Sequence, residues 1–480
     1  MKAALKNRKL MPTSLRISAR EYAHNAPAIA SEYTHNAPDS ESAMCAYERG
    51  SVARVRACES PVSVCAVASD ERTPHGREHV GMRSAYARSM RAKRRAKSQG
   101  ANGYSGESVL GYGKTDRTLV FVALLLSVLG IVFIYSASSY SAQKQFGDAF
   151  HYVKTQSVAL ALGVFCAFAL WMTDMKTIKK FSPILYVVGL VLLSLVFVPV
   201  IGVESYGAKR WLNLGFFTIQ PSEYAKFFTV LAIAAFSSKK DMRKFSNVLA
   251  VLLIGGLTCV LLILEPNMSI TVCMAGAVFL MLFAVGAKTS HLVCLILPAI
   301  AGAVVLVLVE PYRFQRLLAF LDPWKSPLEE GYQLIQSYYA LGSGGLFGVG
   351  LFKSRQKYLF LPFAESDFIL SVVGEETGLF GIAAVMILFA VFVWRGLIIA
   401  RNARDRFSCY AALGITAVTG LQSLVNMAVV CGAVPPTGLP LPFMSAGGSS
   451  LVAYLGAVGV LANISKNSAP YLRVDSFYER

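Results

Sequence analysis

The chain has 480 residues, 55% hydrophobic and 15% charged, and its mean hydropathy is +0.51. Soluble domains carry about 25% charged residues, so this composition argues against a water-soluble globular enzyme, a disordered chain or a collagen-like fibre. The formal net charge of +18 would suit nucleic acid, but residues 1–117 hold 20 Lys+Arg against 11 Asp+Glu, while the much more apolar residues 118–480 hold 26 against 17. The first part reads as a basic segment and the second as a membrane domain.

Residues 1–117 show no sustained helical or strand period. They contain a near-repeat, Glu21-Tyr-Ala-His-Asn-Ala-Pro27 and Glu32-Tyr-Thr-His-Asn-Ala-Pro38, too little for a repeat array. Arg83, Arg88, Arg91, Lys93, Arg94, Arg95 and Lys97 make a dense basic run, and no aromatic residue interrupts it from Arg88 onward. The expectation is a disordered cytoplasmic segment drawn to anionic membrane lipids, with no nucleic-acid partner. Met82 or Met90 is an alternative start. Residues 1–30 hold no apolar signal-peptide core, so the first span is expected to act as the insertion signal. The nine cysteines have neither metal nor disulfide spacing and read as small buried apolar residues.

From residue 118, apolar stretches long enough to cross a bilayer as helices recur. They predict an all-α, polytopic membrane protein with about ten transmembrane helices, at 118–138, 156–173, 182–203, 222–237, 246–264, 269–286, 291–309, 367–394, 409–432 and 448–465. Glu265-Pro-Asn-Met268 breaks the fifth from the sixth. Ten spans put both termini on one side, with residues 466–480 a short cytoplasmic tail. With a cytoplasmic N-terminus, twelve Lys/Arg fall in short inner loops and four in short outer ones (Lys144, Lys154, Lys209 and Arg210). The long loop 310–366 then lies outside.

Charges at membrane depth are costly and usually functional. The candidates are Glu223, Lys226, Glu265, Asp367, Glu375 and Glu376. Glu223 and Lys226 share a helix face and can pair, whether for packing or for substrate. Adjacent Glu375 and Glu376 point in different directions, so at least one must face protein or water. Asp367 closes the long loop, where it can cap a helix or face a substrate whose lipid tail stays in the bilayer; Glu365 is the neighbouring alternative. Upstream, Gly342-Ser-Gly-Gly-Leu-Phe-Gly-Val-Gly350 precedes Lys353, Arg355 and Lys357. Its glycines allow close approach to a ligand, and the bases could hold phosphate. Pro435 to Ser450, which includes Ser445, has four prolines followed by Ser and Gly, and suggests a rigid re-entrant turn lining a cavity. His151 and His291 lie away from these positions and no Walker-type phosphate loop exists, so triad, His-metal and nucleotide-driven mechanisms are unsupported.

Several of these segments together resemble the SEDS (shape, elongation, division and sporulation) family. They are Gly207-Ala-Lys-Arg-Trp-Leu-Asn-Leu-Gly215, Gln220-Pro-Ser-Glu-Tyr-Ala-Lys226, Gly331 through Gly350, Pro362 to Gly378, and Pro435 to Ser450. Leu318-Ala-Phe-Leu-Asp-Pro-Trp-Lys325 and Ser354-Arg-Gln-Lys357 look closer to the FtsW/SpoVE branch than to RodA. Residues 1–117 are outside the resemblance. The resemblance implies a ten-helix peptidoglycan glycosyltransferase that polymerises lipid II at the outer face of the bacterial plasma membrane during cell division. It would work with a class B penicillin-binding transpeptidase and other division proteins. Asp367 matches the family's essential aspartate, and Glu223 and Lys226 its charged pair. The sequence departs from the family at Asn267, where many members have Asp, and at Phe363-Ala-Glu-Ser366. On this reading Asp367 is the general base. Arg210, Lys353, Arg355, Lys357 or a divalent cation (Mg or Mn) would aid departure of the pyrophosphate, and Glu223, Lys226, Glu365 and Ser445 complete the substrate-binding candidates. A lipid II flippase and a division scaffold are the alternatives.

Overall fold

The structure is a computed structural model that describes residues 114–468 apart from positions 200, 206, 207, 214, 216, 217 and 310. The expectations for residues 1–113 (disorder, the near-repeat and the alternative start) and for the tail at 469–480 lie outside the described residues.

The chain opens on α1 (Arg117–Phe146). Asp116 caps it, its Oδ1 accepting from Leu119 N at 3.1 Å while Oδ2 pairs with Arg395 at 2.6 Å. After a left-handed turn at Gly147 come α2 (His151–Met172) and α3 (Met175–Leu195). The third apolar stretch was expected to stay helical to 203. It stops early because Pro199 cannot donate to the ladder and disfavours a helical residue before it. Beyond it the chain departs from the all-α expectation: β1 (Gly202–Ser205), β2 (Ala208–Asn213) and β3 (Thr218–Ile219) form an antiparallel sheet in the order β1-β2-β3. A hairpin over so few residues is the compact way to pair this backbone outside a helix.

Next come α4 (Pro221–Ser237), α5 (Phe245–Leu264), α6 (Met268–Ala284) and α7 (Thr289–Val309). The long loop is itself partly helical, with α8 (Pro311–Leu321) and α9 (Tyr332–Gly344). The chain finishes with α10 (Ile369–Arg401), α11 (Arg406–Val430) and α12 (Gly448–Lys466).

Ten of these helices occupy the ten expected positions in order. Seven (α1, α2, α3, α5, α10, α11 and α12) are long and apolar enough to cross a membrane, and α6 is a shorter apolar helix. α12 is buried almost all round, against α2, α4, α11 and α1. Its Gly459 touches the α2 backbone, where a Cβ would lie 2.3 Å from the Ala167 carbonyl oxygen. The outward faces carry exposed Phe121, Phe165, Leu253 and Leu297. In water that surface would aggregate; in a bilayer it is solvated by lipid.

α10 is broken at Gly378 (φ 68°, ψ −162°). Across the break its backbone pairs with the glycine-rich turn. Val349 N donates to Glu375 O (2.9 Å) and Gly350 N to Glu376 O (3.1 Å), while Leu379 N donates to Gly345 O (2.9 Å) and Phe380 N to Leu346 O (3.3 Å). A Cβ on Gly348 would sit 2.1 Å from the Glu376 carbonyl oxygen. These glycines therefore admit the α10 backbone, where the sequence suggested a ligand.

Candidate functional site

Asp367 lies in the turn just before α10, half-buried. It is not that helix's cap: the cap position is Phe368, with no side-chain capping bond. Its Oδ1 accepts from Ser366 Oγ at 3.2 Å, and a Cβ on Gly438 (φ +67°) would lie 3.3 Å from Oδ2. So one carboxylate oxygen is held, and the other faces a residue that has no side chain. Burial pushes the Asp367 carboxyl up to about 6, reinforced by nearby Glu365 and opposed by Ser366, Arg210 and Arg316. Glu365 is likewise raised by burial.

Three amide side chains buried in apolar helices build the surrounding scaffold. Asn426 of α11 donates to the carbonyls of Asp367 (2.8 Å) and Leu439 (2.7 Å). Gln422, one turn earlier, donates to Pro440 O at 2.9 Å. Gln156 of α2 donates to Ser445 O (3.2 Å) and accepts from Gly447 N (3.1 Å). Ser445 Oγ accepts from Leu441 N (2.8 Å) and donates to Ser366 O (2.5 Å), and Ala446 N donates to Glu365 O at 2.9 Å. The proline-rich loop and the Asp367 turn are thus one hydrogen-bonded body. Asn426, Gln422 and Gln156 carry no net charge and belong to none of the glycine- or proline-rich segments, so neither charge nor motif singles them out in the sequence. A polar amide inside an apolar helix was the available signal.

Arg210 on β2 donates through Nη2 to Pro266 O at 2.6 Å and through Nε to Glu265 O at 3.4 Å. It ties the sheet to the turn between α5 and α6 and contributes positive potential at Asp367. Glu265 is fully buried, neither carboxylate oxygen has a hydrogen-bond partner among the described residues, and burial raises it to about 8 against the pull of Arg210. Asn267 donates to Ser222 Oγ at 3.5 Å, so the residue that departs from the family pattern serves as a link between α6 and α4. Arg316 of α8 reaches the same loop, donating to Pro436 O at 3.5 Å.

Glu223 and Lys226 are 0% and 2% exposed. Lys226 Nζ donates to Glu223 Oε2 (2.7 Å), Gln422 Oε1 (2.9 Å) and Tyr454 OH (2.9 Å), and Ser450 Oγ donates to the same Glu223 oxygen (2.8 Å). This is the geometry of a packing pair locking α4, α11 and α12, and through Gln422 it touches the loop above. Lys353, Arg355 and Lys357 lie on a separate turn. Glu375 accepts from Ser354 Oγ (2.5 Å) and Arg355 N (2.9 Å), and Glu376 from Ser136 Oγ (2.5 Å) and Ser354 N (3.2 Å). Both glutamates face protein and pin this turn. Lys357 is buried, its ammonium on Phe352 O at 2.5 Å, whereas Lys353 and Arg355 are exposed. Among the described residues no hydrogen bond or ion pair joins these three bases to Asp367.

The family model for FtsW, RodA and SpoVE, described as cell cycle protein, matches residues 116–469. Stage V sporulation protein E of Bacillus subtilis is 39% identical over 359 residues, covering 74% of this chain and 97% of that protein. A probable peptidoglycan glycosyltransferase FtsW of Geobacter sp. (strain M18) is 40% identical over 353 residues, covering 73% and 96%. A chain from a peptidoglycan synthase complex solved for its coordination of polymerization and crosslinking is similar at TM-score 0.62 and 30% identity, covering 74% of this chain and 98% of its own. The rod shape determining protein RodA of Thermus thermophilus is similar at TM-score 0.55 and 28% identity, covering 75% and 98%.

Proposed function

The chain belongs to the FtsW/RodA/SpoVE family of cell cycle proteins and is a multi-pass membrane peptidoglycan glycosyltransferase; we propose that it extends glycan strands from lipid II with Asp367 as general base. The observation that carries this is the Asp367 carboxyl, with one oxygen held by Ser366, the other facing Gly438, and burial setting its pKa near 6. A base tuned close to neutral pH is ionised in use and still basic enough to take a proton. In lipid II the sugar is α-linked to pyrophosphate and the new glycosidic bond is β, so the acceptor hydroxyl attacks in line. Its proton passes to Asp367 as the C–O bond forms, and the pyrophosphate leaves on its lipid with the bond electrons. Arg210 and Arg316 supply positive potential on the Asp367 side, and exposed Lys353 and Arg355 a second basic surface. The Glu223–Lys226 pair holds the floor of the site.

No cluster of three or more His, Cys, Asp or Glu side chains spaced to hold a metal exists among the described residues. A cation such as Mg needs only one or two protein carboxylates beside substrate phosphate oxygens, so the expected divalent cation stays part of the proposal without such a cluster. The assembly reading is a crosslinking partner, a class B penicillin-binding transpeptidase, supported by the likeness to a subunit of a peptidoglycan synthase complex. Ten crossings with both termini cytoplasmic, in the bacterial plasma membrane, are supported by the ten helices and the lysine asymmetry of their ends. The test is incubation of the purified protein with lipid II in detergent, where a transporter has no two sides to work between. Glycan polymer is expected; no polymer, with or without the transpeptidase, would sink the proposal.

A further inference from the structure

At the far end of α4 from Asp367 lies a cavity of about 550 Å³, formed by the start of α3, the end of α4 and α5. The 17 residues of α4 set it about 25 Å from the Glu223 end. Lys176, Lys179, Lys180, Lys239 and Lys240 all line it, and no carboxylate does. Among the described residues none of the five is in an ion pair, the described pairs lying elsewhere. The nearest acids in sequence, Asp174 and Asp241, flank the helix ends outside the lining, and Asp241 accepts from Arg243 N. The remaining wall is apolar and includes Phe236 and the ring of Tyr186, whose hydroxyl is already committed to Ile254 O at 2.8 Å. Below the lysines, α3 and α5 present exposed Ile184, Val187, Leu253 and Leu257.

Five lysines around one cavity with no carboxylate among them make a basic rim, four of them exposed and Lys179 reaching over the Phe407 ring, and an anion is the complementary occupant. Here the lysines sit at helix ends, where phosphate headgroups lie, and the wall beneath is continuous in character with a lipid-facing surface. We propose that this cavity is a binding site for an anionic phospholipid, with its phosphate among the five lysines and its first acyl carbons against Phe236 and Tyr186. It is separate from the lipid II site, and it turns lysines that sequence assigns only to topology into a specific headgroup cradle.

The test is native mass spectrometry of the purified full chain titrated with phosphatidylglycerol or phosphatidylcholine, with excess inorganic phosphate as a competitor. Engagement of even part of the five lysines should give a preference for phosphatidylglycerol of about tenfold or more. K176Q/K179Q/K180Q/K239Q/K240Q should abolish it, the five Lys→Arg changes should keep it, and inorganic phosphate should not displace the lipid. The glutamine variant should still polymerise lipid II, since these residues are remote from Asp367. If it fails to fold, K239Q/K240Q alone should lower the preference part-way. Equal binding of the two lipids by the unaltered protein, or a preference that survives the glutamine changes, overturns the proposal. Displacement by inorganic phosphate also overturns it, in favour of a soluble anion.

Discussion

Replacing Asp367 by Asn separates chemistry from structure because the two effects have opposite signs. A carboxyl with a pKa of about 6 is about nine-tenths ionised at pH 7 and about one-tenth ionised at pH 5. If its carboxylate takes the acceptor proton, turnover of the unaltered protein should fall as pH drops through 6, by roughly tenfold per unit below it. Asp367→Asn removes the base at every pH and should cost about 10²–10⁴ in rate. The stability sign follows from linkage. The folded pKa lies above the ordinary value of 3.8, so the native state holds this proton more tightly than the unfolded chain does. The carboxyl therefore contributes stability below about pH 4 that is lost as pH rises to about 6. Above pH 6 Asp367→Asn removes a charge that folding disfavours, so its thermal midpoint should equal or exceed that of the parent. Loss of a helix cap would instead cost about 1 kcal/mol. Glu365→Gln should move the activity midpoint to lower pH, because it removes a like charge beside Asp367. The assay is lipid II polymerisation from pH 5 to 8 in detergent, with thermal unfolding in parallel. Polymerisation by Asp367→Asn within about threefold of the parent, or a flat profile between pH 5 and 7, refutes the base assignment.

Three more outcomes come from the packing. Lys226→Ala leaves Glu223 as an uncompensated buried charge and should cost about 3–5 kcal/mol, read as a fall in thermal midpoint, with Glu223→Gln in the Lys226→Met background recovering most of it. Gly348→Ala puts a Cβ into the Glu376 carbonyl at a positive φ of 79°. It should cost about 2–3 kcal/mol from strain and lost ladder bonds, seen as faster amide exchange at Val349, Gly350, Leu379 and Phe380. Asn426→Ala leaves the Asp367 and Leu439 carbonyls without a donor and should lower kcat far more than it raises KM, by up to about 10²-fold, as for a residue that positions the base.

The helices were legible because apolar length is a local property of the chain. Their partners were not, because pairing is long-range. Nothing local in Gly345–Gly350 says that it will pair with Glu375–Phe380, so the glycines looked like a ligand cradle. Glu375 and Glu376 need protein or water, and the two serines and the backbone amides that hold them come from another turn and another helix, with Glu376 Oε2 left without a partner among the described residues. The sheet at Gly202–Ile219 was hidden by the apolar run leading into it. Asp367 stands out by position and charge, whereas Gln156, Gln422 and Asn426 are neutral dipoles inside apolar helices, and what they bind is set only by the fold.

The break at Gly378 also fixes a depth. Residues 379–401 alone make a helix of about 34 Å, already close to the thickness of a bilayer's hydrocarbon core. The nine helical residues before the break, about 13 Å of helix, are then not needed for the crossing. Asp367 stands at the top of that segment. A lipid-anchored sugar could therefore present its anomeric carbon to the carboxylate while its whole prenyl chain stays in oil, and the growing strand could lengthen into water with no part of the catalyst having to cross the boundary between them.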